Sequence, residues 1–146
     1  MADSDVRKAL VTAALAFFVA QGLDTDTQVS WENKVFDPRG LELWAACYSQ
    51  KAGPSEVSTL GLGGRDREVG FLQIDVNVPR DTGEEVGDTW WDAARAYFVK
   101  GKSFTYGVQT VTIQNIGSAN GRLVDTWWRE TFTISYRSDL TRNPSL

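Results

Sequence analysis

The chain has no histidine and a single cysteine among its 146 residues, and both shortages close off chemistry. Without histidine the commonest general base and metal ligand at neutral pH is missing. Ser–His and Cys–His nucleophile pairs therefore cannot form within this chain. One cysteine makes no intrachain disulfide and no zinc cluster, and Cys47 sits in an apolar run that suits a buried, inert thiol. A reducing, intracellular place of assembly is the natural expectation. Basic charge is also short, with Lys plus Arg at 15 against Asp plus Glu at 19, a net charge of −4. A protein of that balance lacks the phosphate-neutralising surface from which duplex affinity mostly comes, so general DNA binding is disfavoured. Only one long apolar run is present, Ala9–Ala20, preceded by Arg7 and Lys8. It imitates a signal-peptide core, but Asp3 and Asp5 occupy the would-be basic region and the run is short for a bilayer. Val6, Leu10, Ala13 and Phe17 instead form the stripe of an amphipathic helix that starts at Asp3 or Ser4 and ends near Gly22.

The remaining site motifs are weak. Asp24-Thr25-Asp26 pairs two carboxylates but lacks the further ligands and closing Glu of a calcium loop. Gly61-Leu62-Gly63-Gly64 has no following Lys-Ser/Thr, so it reads as a hairpin tip and not as a phosphate cradle. No carboxylate pair is singled out by spacing for hydrolytic work. No catalytic residue, cofactor site or metal site is assigned.

What the chain does carry is clearest between Arg67 and Phe98. Leu72, Ile74, Val76 and Val78 alternate with Phe71, Gln73, Asp75 and Asn77, the period of a strand with one buried face and a polar face left available. Pro79 ends the ladder, Thr82 and Glu85 form a capping box, and Val86–Phe98 has helical spacing. Elsewhere Trp31–Phe36 reads as a short extended piece and Asp37-Pro38-Arg39-Gly40 as a turn. Leu41–Tyr48 reads as a strand and Ser49–Ser55 as a loop. Glu56–Leu62 and Val69–Val78 read as a hairpin across Gly63–Asp66. Lys100-Gly101 closes the second helix, Val108–Asn115 alternates, and Gly117–Gly121 (GSANG) reads as another turn. Trp128, Phe132, Ile134 and Tyr136 mark one face of a final strand, with a frayed end at Thr141–Leu146. The expected architecture is one α+β domain over 1–146. It has a mixed, mainly antiparallel sheet of about four to five strands and two helices packed on one face.

Six tryptophans are many for this length, and Trp90-Trp91 and Trp127-Trp128 come as pairs. Neighbours point in different directions on helix and strand alike, so one of each pair can enter the core while the other faces outward. Core filling, a subunit interface and a sugar-stacking platform are the three readings. The position of the pairs at element starts favours an interface, with Trp91 and Trp127 as its members.

Over nearly its whole length the chain resembles the tail terminator family of long-tailed bacteriophages. The resemblance is carried by Val6-Arg7-Lys8-Ala9-Leu10, by Trp31-Glu32-Asn33 leading to Phe36 and Pro38, and by Gly70-Phe71-Leu72-Gln73-Ile74-Asp75-Val76. Ala93–Phe98 and Phe132-Thr133-Ile134-Ser135-Tyr136 complete it. It implies an α+β subunit of a non-enzymatic, hexameric ring in the virion, at the neck end of the tail and assembled in the host cytoplasm. Such a ring halts tail-tube polymerisation, meets the tube protein on one side and the head-side connector or stopper on the other, and lets genomic DNA pass without binding it. No cofactor and no membrane are implied. The chain departs from the family in its tryptophan content and its Ser49–Ser55 loop. Arg65, Asp66, Arg67 and Glu68 are expected to project at the hairpin and pair across subunits, and Gln73, Asp75 and Asn77 to face a lumen or a neighbour. Two other readings are a head–tail connector or stopper of the neck, and a small Trp-rich carbohydrate-binding module.

Overall fold

The computed structural model describes residues 2–32, 34–51, 56–57, 60–61, 64–81 and 85–141. Helix α1 spans Ala2–Ala20 and presents the expected stripe of Val6, Leu10, Ala13 and Phe17 to the interior, widened by Ala14 and Phe18. Gly22 ends it in the left-handed region, at φ 84°, where a side chain would be strained. Strand β1 (Val29–Trp31) follows, then β2 (Trp44–Lys51), β3 (Glu56–Val57) and the long β4 (Arg65–Pro79). Helix α2 (Glu85–Tyr97) leads into β5 (Ser103–Tyr106), β6 (Gln109–Val124) and β7 (Trp127–Thr141).

The strands form one sheet in the order β1-β2-β4-β7-β6-β5, with β3 paired to the start of β4. Only the β1–β2 pair is parallel. The sheet has seven strands and curls into a half-barrel, so the expectation of four to five was low. The strand with no counterpart in the sequence reading is β5, whose four residues are too short to show a period, while β1 and β3 are shorter than the pieces expected at Trp31–Phe36 and Glu56–Leu62.

Both helices lie on one face. Leu72, Ile74 and Val76 of β4, Phe132 and Ile134 of β7, and Ile113 of β6 form the sheet side of the core. Phe17 sits at its centre, its ring 5.7 Å from Trp90 and 5.5 Å from Phe98, which ties α1 to α2 and its C-terminal end. Such offset and edge-on aromatic pairs add to plain area burial.

Several boundaries differ from the sequence reading. The extended piece expected at Trp31–Phe36 is the strand Val29–Trp31, and the strand expected at Leu41–Tyr48 runs from Trp44 to Lys51. Gly117–Gly121 is not a turn: it lies inside β6, and the chain reverses at Asp125-Thr126, with Asp125 at φ 55°. Turn-forming residues serve here at a strand irregularity between Ala119 and Arg122. Glycine fits there without moving its neighbour, because a Cβ at Gly121 would lie 2.5 Å from the Trp128 indole and force that ring to shift. The capping-box residue Thr82, the hairpin residue Gly63 and most of the frayed end lie outside the described residues.

Candidate assembly surface

β4 runs through the middle of the sheet and positions most of the residues singled out in the sequence. On its helix-facing side, Gly70 lies opposite Tyr136 of β7 and Lys51 of β2. A Cβ at Gly70 would stand 2.4 Å from the Gln50 carbonyl oxygen and 2.7 Å from the Tyr136 hydroxyl, so only glycine lets the three strands meet there.

The opposite face is polar but not open. Asp75 and Asn77 are 3% and 0% exposed, against the expectation of an available polar face. The Thr131 hydroxyl donates to Asp75 Oδ1 at 2.7 Å, and Gln73 Nε2 donates to the same oxygen at 3.3 Å. Gln73 Nε2 also meets the Tyr48 hydroxyl. Arg129 Nε donates to Asn77 Oδ1 at 2.8 Å, and Asn77 Nδ2 reaches the Trp44 carbonyl at 3.4 Å. Burial raises the Tyr48 pKa, the Asp75 charge adds to that, and Arg129 and Arg122 oppose it. These groups are satisfied by neighbours on β2 and β7, which is how buried polar atoms must be held. Of the three residues, Gln73 is the one that keeps partial exposure.

The group Arg65–Glu68 is not a projecting tip. All four are in β4, paired with Ser138–Thr141 of β7, and Asp66 and Arg67 also pair with β3. Arg65 is exposed, Asp66 and Arg67 are half-buried, and Glu68 is 1% exposed. Arg67 Nε stands 3.5 Å from Asp139 Oδ1, and Lys51 Nζ stands 3.7 Å from Glu68 Oε1. The sequence underestimated β4, whose ladder with β7 starts four residues before Val69. Glu68 borders a hollow of about 280 Å³ between α1 and the sheet, together with Arg7, Leu10, Lys51 and Tyr136.

The tryptophans are all at least half-buried. Trp90 is in the core, and Trp91 packs its ring 5.6 Å from Phe132 with Arg95 above it at 5.7 Å. Trp127 meets Trp44 edge-on at 5.9 Å and 89°, and Phe36 closes the other side of Trp44 at 5.0 Å. Crossed and enclosed rings of this kind offer no coplanar platform for a sugar. Cys47 is buried on the helix side of β2, where burial and the negative charges of Glu32 and Asp75 push its thiol up to about 12. A thiol held there is neutral and unreactive at physiological pH. Among the described residues no three His, Cys, Asp or Glu side chains gather as a metal site, and no helix is long and apolar enough to cross a membrane.

Sequence reading missed Tyr48, Arg129 and Thr131 as partners of the β4 polar face. The signal was present in β7, where Arg129, Thr131, Thr133 and Ser135 alternate with Glu130, Phe132 and Ile134.

Comparison with known proteins adds two positive findings. The family described as phage tail terminator protein matches residues 5–136. A solved structure aligns with 96% of this chain and 97% of its own, at a TM-score of 0.74 and 18% identity, which is a likeness of fold. No curated protein matches by sequence.

Proposed function

Because the chain belongs to the phage tail terminator family and is thus a structural protein of the phage tail, we propose that it caps the tail tube as a ring of identical subunits, six in number. The ring ends tube polymerisation and forms the surface to which the head-side connector attaches. In this reading residues 1–146 act as one domain, and the partners are further copies of the chain, the major tail tube protein and the connector or stopper. DNA passes through the lumen unbound, in keeping with a net charge of −4. The protein does no catalysis and resides at the neck end of the tail in the virion. Arg65, Asp66, Gln73, Trp91 and Trp127 keep exposed or half-exposed surface for contacts to neighbours or tube.

The observation that carries the reading is the family match across residues 5–136. The test is negative-stain microscopy of particles made without this protein. Tails of unregulated length support the proposal. Tails of normal length that fail to join heads would replace it with the connector or stopper reading.

A further inference from the structure

Among the described residues the sheet leaves one long edge unused. β5 pairs with β6 only from Gln109 to Thr112, and two more bonds reach Ile113, from the Gly101 N–H to its carbonyl and from its N–H to the Lys102 carbonyl, each 2.8 Å. Beyond that point, among the described residues, no strand lies outside β6, although β7 pairs with its inner side as far as Val124. Backbone direction alternates along such a strand. The Ile116 N–H donates to the Asn115 side-chain oxygen at 3.0 Å and so faces away from β7. Ser118, two residues on, shares that direction. The open stretch therefore starts after Ile116.

This edge also has little of the usual protection. Natural sheets blunt their edges with proline, lysine, bulges, short strands or a covering element, and of these β6 carries the bulge between Ala119 and Arg122. Residues 117–124 contain no proline and no lysine, and Arg122 is their only charge. Gly117, Ser118, Ala119, Arg122 and Leu123 are exposed, so neither helix covers them. The other outer strands are much shorter: β1 has three residues, β3 two and β5 four. On either side of the bulge, Gly117–Ala119 and Arg122–Val124 each offer about 10 Å of pairing edge, a length that a three-residue strand such as β1 matches.

We propose that the edge of β6 from Gly117 to Val124 receives the β1 edge of a second copy of this chain, so that ring closure continues one subunit's sheet into the next. The inference rests on the ring reading above and assigns its joint. Joining unlike edges is the head-to-tail arrangement that closes into a ring, whereas pairing β6 with β6 would stop at a dimer. The charges agree with the choice of partner. β1 lies at the opposite end of the sheet, and the connection before it exposes Asp24 and Asp26, opposite in sign to Arg122.

The experiment compares amide hydrogen exchange in free protein and in protein assembled on purified tail tubes, alongside two edge variants. Protection of 117–124 on assembly is expected, together with a cross-link from this stretch to residues near β1 of another copy. Ser118→Pro removes an outward N–H and spares the β7 ladder, and Ser118→Lys adds a charge at an exposed edge position. Both are expected to keep the circular dichroism of the folded subunit and to lose rings. Rings whose 117–124 amides exchange as in the free subunit, or normal rings from Ser118→Lys, would overturn the joint and leave the ring standing. A cross-link to the tube protein alone would overturn the second copy as occupant. If the wild-type protein forms no ring on tubes, the proposed function fails and this inference with it.

Discussion

Gly70→Ala is the sharpest test of how the three central strands meet. The added methyl carbon would lie 2.4 Å from the Gln50 carbonyl oxygen and 2.7 Å from the Tyr136 hydroxyl, with Tyr136 Cε1 at 3.0 Å. Contacts under 3.0 Å are essentially never adopted by real Cβ atoms, so something must move. The oxygen belongs to the β2 backbone, whose ladder with β4 continues from Trp44 to Lys51, and it cannot swing aside as a flexible side chain would. Overpacking of this kind costs roughly 1–3 kcal/mol. Alanine restricts the unfolded chain and returns about 0.4–1 kcal/mol. Gly70 is not in the left-handed region, so no backbone strain is added. The net loss is about 1–2 kcal/mol, and for a chain of this size the midpoint of thermal unfolding falls by roughly 3–8 °C. Urea titration followed by tryptophan fluorescence reads it directly. Adding Tyr136→Phe to Gly70→Ala removes the hydroxyl half of the clash, and a double-mutant cycle should show coupling of at least about 0.5 kcal/mol. A Gly70→Ala protein as stable as wild type would refute the argument, since it would mean that β2 and β4 approach less closely than the structure has them.

Two further outcomes follow from the polar face and the buried thiol. Asp75→Ala leaves the Thr131 hydroxyl and Gln73 amide without their shared acceptor, which costs about 1–3 kcal/mol in urea titration and also lowers the Tyr48 pKa in a spectrophotometric titration, because Asp75 is one of the groups raising it. An unchanged Tyr48 titration would separate Asp75 from that network. Cys47, with its folded pKa raised to about 12, contributes stability that is fully present below the ordinary thiol pKa and fades as pH rises from there towards 12. The window is worth roughly 4 kcal/mol at 1.36 kcal/mol per unit. Cys47→Ala should therefore flatten the alkaline loss of stability, and equal pH slopes in the two proteins would contradict the burial argument.

Legibility in the sequence followed the physics of each element. The α1 stripe, the β4 alternation and the α2 spacing are long enough to average out local exceptions, and all three are found where their periods put them. The β6 strand was misread because its glycines and serine answer to tertiary demands. Gly121 clears the Trp128 ring, and the β6–β7 register shifts between Ala119 and Arg122. Composition alone cannot distinguish that use of glycine from a turn. Glu68 shows the converse failure. A charged residue next to a glycine-rich stretch reads as solvated, yet the ladder with β7 carries it under α1, beside Lys51. The polar face of β4 was recognised as polar, but its burial depended on Tyr48 and Arg129, which are 25 and 52 residues away in the chain from the side chains they meet.

That buried polar face bears on how the subunit assembles. A one-residue slip of β4 against β2 and β7 would turn Asp75 and Asn77 towards the helices and their aromatic core, while Ile74 and Val76 would face Thr131 and Arg129. Hydrogen bonds from Thr131 and Arg129 thus penalise the slip on both faces at once. The middle of the sheet is held to a single register by groups already satisfied within the subunit. Residues so committed have little left to offer a neighbour, because breaking them free leaves buried polar groups unpaired. In the proposed ring, contacts between copies would therefore fall to the parts of the sheet that its own packing leaves open, the exposed and half-exposed side chains and the outer edge of β6. A rigid centre with an open edge on β6 is an arrangement that would let subunits of the proposed ring add in a fixed direction without rearranging their cores.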